Sequence, residues 1–205
     1  MTITWLGHAC FLLESGGYRV ILDPLKGVPG CADTAGEAEA VYCSHAHFDH
    51  CYTEKIHICE GKESPFNVYE IPCFHDEVQG AKRGKNTIRV LTADGVRVAH
   101  LGDLGHPLNA QLLAAIGACD VLLLPVGGTY TLDAQAAKQV ADAIHPRVIC
   151  PMHYRRGDMG FDVLQTVEEF TSLYDSEMIH WMDSNSMELT GEVLSRGGVV
   201  VFSPK

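Results

Sequence analysis

Basic residues are scarce in this chain: 15 lysines and arginines stand against 26 aspartates and glutamates, a formal net charge of −11. A surface this acidic disfavours sequence-independent binding to nucleic acid or to anionic lipid. Apolar runs of the roughly 20 residues that span a membrane are also missing. Residues 1–15 have neither the charged start nor the continuous apolar stretch of a signal peptide. We therefore expect a cytoplasmic protein without a nucleic-acid or membrane partner, and homo-oligomers remain possible.

The sequence contains eight cysteines but no C-x-x-C pair of the kind that indicates a zinc ribbon or a redox motif. Four of them lie in or next to apolar segments: Cys43, Cys73, Cys119 and Cys150. Free cysteine behaves as a small buried hydrophobe. These four are predicted to be reduced core residues.

The chain also lacks a linker, a short repeat and a low-complexity tract. With 205 residues, 46% of them hydrophobic, it has enough material for a sizeable core. We predict one domain over residues 1–205.

Strand-like patterns fill the first hundred residues, and helical patterns alternate with strands after them. The run 2–15, Gly16–Gly17 and the following apolar run predict a hairpin, and "ADG" marks another within 86–103. This order suggests two sheets with helices on their outer faces. The remaining predicted strands are 38–44, 67–74, 120–126, 147–153, 187–192 and 198–203, and the predicted helices are 107–116, 132–144 and 161–174.

A histidine-rich loop, "SHAHFDH", occupies residues 44–50. His45 and His47 are two positions apart, so in an extended continuation of the strand both side chains leave on one face and can converge on one ion. Asp49 and His50 are adjacent, so their side chains diverge. This second pair is better placed for a second ion or for another side of a shared pocket.

Three further ligand types follow apolar strands: His75, Asp103 and His153. Zinc takes about four ligands, and a catalytic zinc keeps one position open. The loop alone could be an ordinary solvated segment, but its combination with these three residues favours a metal site. Asp103 is the best placed to bridge two ions through its two carboxylate oxygens.

The motif "SHAHFDH" matches the H-x-H-x-D-H signature of the metallo-β-lactamase superfamily, and the later order of His75, Asp103 and His153 resembles its remaining ligands. The segments "ITWLGHACFLLE", "ILDP", "AHLGDLGH", "LLLPVGGTYTLDAQAA" and "PMHYR" resemble its branch of small metal-dependent hydrolases. That branch includes L-ascorbate-6-phosphate lactonase and N-acylphosphatidylethanolamine phospholipase D. The resemblance runs from residue 2 to about residue 170 and implies an α/β fold, a four-layer αββα sandwich.

The resemblance also implies a dinuclear site, with zinc expected and manganese or iron as alternatives. One ion would bind His45, His47 and His75. The other would bind Asp49, His50 and His153, with Asp103 between the two ions. Ions that share a water lower its pKa from about 15.7 to about 7, which makes a bridging hydroxide available as the nucleophile. Asp49 is the expected catalytic residue, because it could pass the water's proton to the leaving group.

The expected activity is hydrolysis of a small ester, lactone or phosphoester. Two divalent ions outweigh Asp49, Asp103 and a hydroxide in charge, so an anionic substrate is favoured. Only 24 residues separate His50 from His75, which leaves little room for a substrate-binding insertion. The alternatives are a di-iron redox protein, whose relatives usually have glutamate at the position of His47, and a metal-binding module without turnover.

Other residues could support this site. His8 and Asp23 could orient a ligand or a water, although a backbone-bonded histidine and a simple turn explain them equally well. Tyr154 and Arg155 follow His153, and Arg155 could bind a substrate anion or lie in solvent.

Three remaining features have weaker signals. The stretch 127–130 could let a substrate approach the backbone closely, whereas Thr131 and Asp133 are predicted to cap a helix. The basic run at Lys82, Arg83 and Lys85 could edge the pocket or be solvated. The other histidines lack the placement of ligands, and His106, which is near Asp103 in sequence, is the candidate exception.

Overall fold

A computed structural model of the chain describes residues 1–203. Most strands are short, and the four α-helices are concentrated in the second half. The strands are β1 (Thr2–Gly7), β2 (Cys10–Ser15), β3 (Tyr18–Leu22), β4 (Gly36–Ala38), β5 (Ala40–Tyr42), β6 (Ile56–Ile58), β7 (Asn67–Phe74), β8 (Lys85–Ala93), β9 (Val96–His100), β10 (Val121–Pro125), β11 (Val148–Met152), β12 (Ile179–Trp181), β13 (Ser186–Glu188) and β14 (Gly198–Val201). The helices are α1 (Ala110–Ile116), α2 (Ala134–Ile144), α3 (Val167–Thr171) and α4 (Gly191–Arg196), with a 3-10 turn at Ser176–Met178.

Two large sheets form the body of the protein. The five-stranded sheet has the order β13-β1-β2-β3-β5, and the seven-stranded sheet has the order β12-β14-β11-β10-β9-β8-β7. Strands β9, β10, β11, β14 and β12 run parallel, whereas β7, β8 and β9 form an antiparallel meander. This mixed α/β architecture with more than one sheet confirms the predicted fold class.

The main hydrophobic core combines inward-facing side chains of both sheets, such as Ile3, Leu13, Val90 and Leu123. Strand β10 is buried along its whole length, because it is covered on both faces, and α2 packs against it. Alternation along a strand sends Ile21 to the other side of the five-stranded sheet. There it joins a smaller core with Cys10, Leu25, Val28 and Ala38, so a loop and β4 cover that side.

Several sequence predictions are confirmed. Strand β7 matches the predicted range 67–74, and the β8–β9 hairpin turns at Asp94–Gly95. Helix α2 begins after Asp133, whose Oδ1 accepts a hydrogen bond from the backbone N–H of Ala136 at 2.8 Å. Thr131 does not cap this helix, because its hydroxyl donates instead to the carbonyl oxygen of Leu132.

Other boundaries were predicted wrongly. The run 2–15 is two antiparallel strands rather than one, because His8 adopts a left-handed backbone conformation with φ of 51° and reverses the chain. The helix predicted over 161–174 is only Val167–Thr171, since a capping box of Thr166 and Glu169 starts it late. The predicted strand 187–192 ends early, because Thr190 caps α4. Strands β6 and β12 and helix α4 were not predicted.

The cysteine prediction holds for three residues and is wrong for one. Cys73, Cys119 and Cys150 are free and buried. Cys43 forms a disulfide with Cys51, and their Cα atoms are 5.2 Å apart. The reason is local: the chain between them folds back, as the backbone N–H groups of His50 and Cys51 donate to the carbonyl oxygen of His47.

Within residues 1–203, every helix is too short or too polar to cross a lipid bilayer. The single domain predicted over 1–205 remains a prediction, and its last two positions, 204 and 205, lie outside the described residues.

Candidate metal centre

The polar residues predicted as ligands meet at one end of the two sheets. The loop with His45 and His47 follows β5, and His75 follows β7 directly. Asp103 lies just after β9, and His153 directly follows β11. Strand ends of the two large sheets therefore bring these donors together, as the placement after apolar strands predicted.

The first cluster of donors, here called the outer group, consists of His45, His47 and His75. One ring nitrogen from each lies within 4.8 Å of the others. His45 Nε2 is 2.9 Å from His47 Nδ1. His47 is exposed, whereas the side chain of His75 is only 2% exposed. These are the three residues that the sequence assigned to one ion.

The second cluster, here called the inner group, consists of His8, Asp49, His50 and His153, again with one donor atom each within 4.8 Å of the others. Asp49, His50 and His153 are the predicted ligands of the second ion. His8 is the addition: its ring centroid is 4.0 Å from that of His153, and its Nε2 is 3.4 Å from Asp49 Oδ2. The sequence suggested His8 as an orienting residue, and the structure places one of its ring nitrogens within 4.8 Å of the other donor atoms.

Asp103 lies between the two groups. Its Oδ2 is 3.0 Å from Nε2 of His75 in the outer group. The same oxygen is 3.2 Å from His50 Nε2 and 3.3 Å from His153 Nε2 in the inner group. This is the placement that a carboxylate shared by two ions requires. The sequence did not indicate a role for Asn86, which is buried. Its Oδ1 accepts a hydrogen bond from the backbone N–H of Asp103 at 3.0 Å and so fixes the backbone at Asp103.

Asp23 supports the inner group from behind. It is buried, and its Oδ2 lies 2.8 Å from His50 Nδ1. Its Oδ1 accepts the backbone N–H of Ser44 at 2.6 Å, at the start of the histidine loop. A carboxylate on one imidazole nitrogen fixes the tautomer and directs the other nitrogen to the metal position. The location of Asp23 is thus the one its predicted orienting role requires.

Burial and charge set the protonation of these groups. Burial, reinforced by neighbouring histidines, lowers the pKa of His8 and of His45 to about 3, so both rings are neutral near pH 7. Burial acts to raise the pKa of Asp49, but the nearby rings of His8 and His50 outweigh it and lower that pKa to about 2. The pKa of Asp103 also lies well below its usual range, because His153 and His50 outweigh the effect of burial. Neutral imidazoles and ionised carboxylates are the forms that bind metal; His50, whose pKa is raised well above its usual value because Asp103 and Asp23 outweigh burial, would release a proton when an ion binds.

Buried polar atoms at this centre fit a bound metal. Among residues 1–203, hydrogen-bond partners are lacking for His50 Nε2, Asp103 Oδ1 and both ring nitrogens of His8. Such atoms are costly to bury unless something binds them. Imidazole and carboxylate donors suit zinc, and also manganese or iron. The residues present therefore fit the implied divalent ions.

A cleft of about 400 Å³ opens onto both groups. This volume falls within the range of small-molecule sites. The sequence had not singled out its three aromatic residues, Phe48, Tyr130 and Phe161, as substrate contacts. The lining residues are His47, Phe48, Asp49, His75, Arg83, Asp103, Tyr130, His153 and Phe161.

Other predicted substrate contacts lie elsewhere. Tyr154 is buried and stacks on Trp5, with ring centroids 5.6 Å apart. The Arg155 side chain points to the carbonyl oxygen of Leu164, and neither Tyr154 nor Arg155 lines the cleft. His106 contacts the backbone of Phe74 and Pro107 outside the cleft. Of the basic run, Arg83 reaches the cleft.

The stretch 127–130 has a different use from the one suggested. A Cβ at Gly127 would stand 1.9 Å from the carbonyl oxygen of His153. The glycine therefore allows the backbone to pass close to a candidate ligand residue. The cleft contact of this stretch is made by the Tyr130 side chain.

Known proteins resemble this chain in sequence and in fold. A family model described as a β-lactamase superfamily domain matches residues 2–153. A UPF0173 metal-dependent hydrolase of Archaeoglobus fulgidus is 31% identical over 194 residues, covering 75% of this chain and 83% of the relative. A protein of the same name from Methanoculleus marisnigri is 31% identical over 201 residues, covering 83% and 87%.

Solved structures agree. A candidate Zn-dependent hydrolase of the metallo-β-lactamase superfamily from Thermotoga maritima is 34% identical, covers 100% of this chain and 99% of its own, and superposes with a TM-score of 0.79. Igni18, a metallo hydrolase from Ignicoccus hospitalis, shares the fold at 20% identity, with coverage of 99% and 95% and a TM-score of 0.64. The chain therefore belongs to the metallo-β-lactamase superfamily, alongside relatives that are named metal-dependent hydrolases.

Proposed function

We propose that the protein is a metal-dependent hydrolase that binds two divalent ions, zinc by preference, and cleaves a small anionic ester, lactone or phosphoester. The position of Asp103 supports this most directly. Its Oδ2 lies within 3.0–3.3 Å of Nε2 atoms from both the outer and the inner group. One carboxylate can thus serve two adjacent ions.

Divalent ions bound there would lower the pKa of a shared water toward neutrality and polarise a substrate oxygen. The inner and outer groups would hold these ions at the floor of the cleft. Asp49 is ionised near pH 7, lines the cleft and keeps 13% of its side chain exposed. It can therefore accept a proton from the attacking water and deliver it to the leaving group. His8 lies beside Asp49 Oδ2 and orients that carboxylate.

Two observations favour turnover by hydrolysis over the alternatives. A cleft of small-molecule size adjoins the donors, which a module that only stored metal would not need. The outer group presents three imidazoles. An all-imidazole donor set suits zinc, whereas a di-iron redox protein has a site richer in carboxylates.

The proposal is tested by removing and restoring metal. Chelated protein should be inactive against a panel of lactones, phosphodiesters and N-acyl amides, and added zinc or manganese should restore activity on at least one class. Asp103→Ala should lower both the metal content and kcat/KM, the latter by about 10³-fold or more, because several kcal/mol of transition-state stabilisation depend on the ions.

Asp183→Ala, which removes an exposed carboxylate outside the cleft lining, is the matched control and should behave as wild type. Full metal content and rate in Asp103→Ala would refute the shared role of this carboxylate. Metal-loaded protein that turned over none of the panel would refute the proposed activity.

A further inference from the structure

Besides Asp103 and members of the two donor groups, the cleft is lined by four residues: Phe48, Arg83, Tyr130 and Phe161. Phe48 is 58% exposed and Tyr130 is 39% exposed. Large aromatic side chains that stay exposed within one concave site mark a surface that binds an apolar ligand. These residues therefore carry information about the substrate that the metal donors do not.

The backbone of Arg83 is fixed by a hydrogen bond to Asp76. Its N–H donates to Asp76 Oδ2 at 2.7 Å, and the buried Asp76 also accepts the backbone N–H groups of Val78, Gly80 and Lys82. One carboxylate thus fixes the loop that follows the outer-group ligand His75. The position of Arg83 at the cleft is consequently defined by the fold rather than by a loose surface loop.

The Arg83 guanidinium keeps donors free. Its Nη2 donates to the carbonyl oxygen of Thr129 at 2.9 Å, and its central carbon lies 5.2 Å from the centre of the Tyr130 ring. A guanidinium has five N–H donors in a fork that matches carboxylate or phosphate oxygens. Among the described residues Arg83 forms no ion pair, whereas the neighbouring Lys82 pairs with Glu77. Arg83 is the cation that lines the cleft.

Aromatic rings from three separate segments surround the remaining space. Phe48 lies in the histidine loop between His47 and Asp49, and its ring meets that of Phe161 edge to face, with centroids 6.4 Å apart. Tyr130 comes from the loop that Arg83 contacts. A flat group in contact with Phe48 would therefore lie next to donors of both the outer and the inner group.

We infer that the cleft takes a substrate with a flat, largely apolar body and an oxyanion separate from the scissile bond. Arg83 binds the oxyanion, a carboxylate or a phosphate, and Phe48, Tyr130 and Phe161 contact the body. This assignment rests on the proposed hydrolase function and adds the substrate class. A structural role for Arg83, tethering the Thr129–Tyr130 loop without contacting the substrate, is the competing explanation that the experiment must separate.

The test uses two matched esters on metal-loaded protein: 4-acetoxybenzoate, which carries a distal carboxylate, and its neutral methyl ester. We expect wild type to favour the anionic ester in kcat/KM. Arg83→Gln should lower that anionic-to-neutral preference by about tenfold or more, mainly through KM, because charge-assisted hydrogen bonds are lost. Arg83→Lys keeps the positive charge but lacks the paired N–H donors of the guanidinium, so it should recover part of the preference for the anionic ester. Lys82→Gln, whose side chain pairs with Glu77 outside the cleft lining, is the control and should leave the preference unchanged.

Binding without turnover separates this inference from the proposed function. Calorimetric titration with naphthalene-2-carboxylate should show affinity about tenfold or more weaker for Arg83→Gln than for wild type. If neither the two esters nor any compound of the lactone, phosphodiester and N-acyl amide panel is hydrolysed while this binding difference is found, the hydrolase proposal fails and the inference about the ligand class stands. If the esters are cleaved but Arg83→Gln retains the wild-type anionic preference and the wild-type naphthoate affinity, the inference is overturned and the hydrolase remains. A loss in Arg83→Gln that is equal for both esters assigns Arg83 to the loop-tethering role and also overturns it.

Discussion

The inner and outer groups contain similar donors in different surroundings. Side chains of His8, His50 and His153 are at most 1% exposed, and Asp23 lies against His50 Nδ1. In the outer group His47 is exposed. The inner histidines are therefore fixed by packing and by a carboxylate behind them, and Asp49 is only 13% exposed at the cleft, whereas His47 of the outer group is an exposed imidazole.

This difference bears on the order in which ions bind. Donors already held in position lose less conformational freedom when an ion binds, and carboxylate support of an imidazole strengthens the ligand. We therefore expect the inner group to bind its ion more tightly and the outer group to exchange its ion more readily. An ion in the outer group would also lie nearer to solvent, because His47 is exposed.

The largest expected effect comes from removing one ligand of each group in turn. His153→Ala should weaken the inner site by more than about 100-fold, the upper limit usual for losing only a supporting residue. His47→Ala should weaken the outer site and leave the inner ion in place. Metal content after dialysis, measured by mass spectrometry, gives about one ion per chain for His47→Ala. Equal loss of both ions from His47→Ala would contradict the expectation that the inner group binds its ion more tightly than the outer group.

A smaller effect is expected from Asp23→Asn. The substitution keeps the shape but removes the negative charge beside His50, so inner-site affinity should fall by about 10–100-fold. The outer group serves as the internal control, since its affinity should change little in the same calorimetric titration. If the metal affinities of both groups fall equally, Asp23 acts on the whole histidine loop through its hydrogen bond with Ser44 and not specifically on the inner group.

The smallest effect on metal affinity is expected from opening the Cys43–Cys51 disulfide, and it should be the same for both groups. Cys43 and Cys51 flank the loop that supplies His45 and His47 to the outer group and Asp49 and His50 to the inner group. A cross-link around a loop of this length stabilises by about 2–3 kcal/mol in the chain-entropy description. Cys51→Ser should therefore lower the melting temperature and reduce the metal affinity of both groups to a similar extent.

Wild type in reductant should reproduce the behaviour of Cys51→Ser, whereas Cys59→Ser, at a free cysteine, should not. Disulfides are rare in a reducing cytosol, so the state of this bond depends on the redox conditions around the protein. Unchanged melting and metal binding in reductant would show that the loop keeps its shape without the bond.

The sequence was sufficient to predict that three candidate donors following strands would lie close together. His75, Asp103 and His153 each come just after an apolar strand, and strand ends gather at one edge of a sheet. The pattern of the histidine loop supplied the rest. Local spacing and strand direction were enough, because these donors depend on short segments.

Residues that act through long-range contacts could not be predicted in the same way. His8 joins the inner group because of a left-handed turn between β1 and β2, and a single histidine after a glycine does not indicate that turn. Arg83 belongs to a basic run whose ordinary interpretation is a solvated surface, and the fold brings it to Thr129. The Cys43–Cys51 bond depends on how tightly the loop folds back.

The central claim is that two adjacent ions share Asp103, and anomalous diffraction from crystals of zinc-loaded protein tests it most directly. We expect two zinc peaks: one among His45, His47 and His75, and one among Asp49, His50 and His153, with His8 beside it. Both peaks should lie within coordination distance of the Asp103 carboxylate. A single peak at full zinc occupancy, or two peaks of which only one contacts Asp103, would contradict the account.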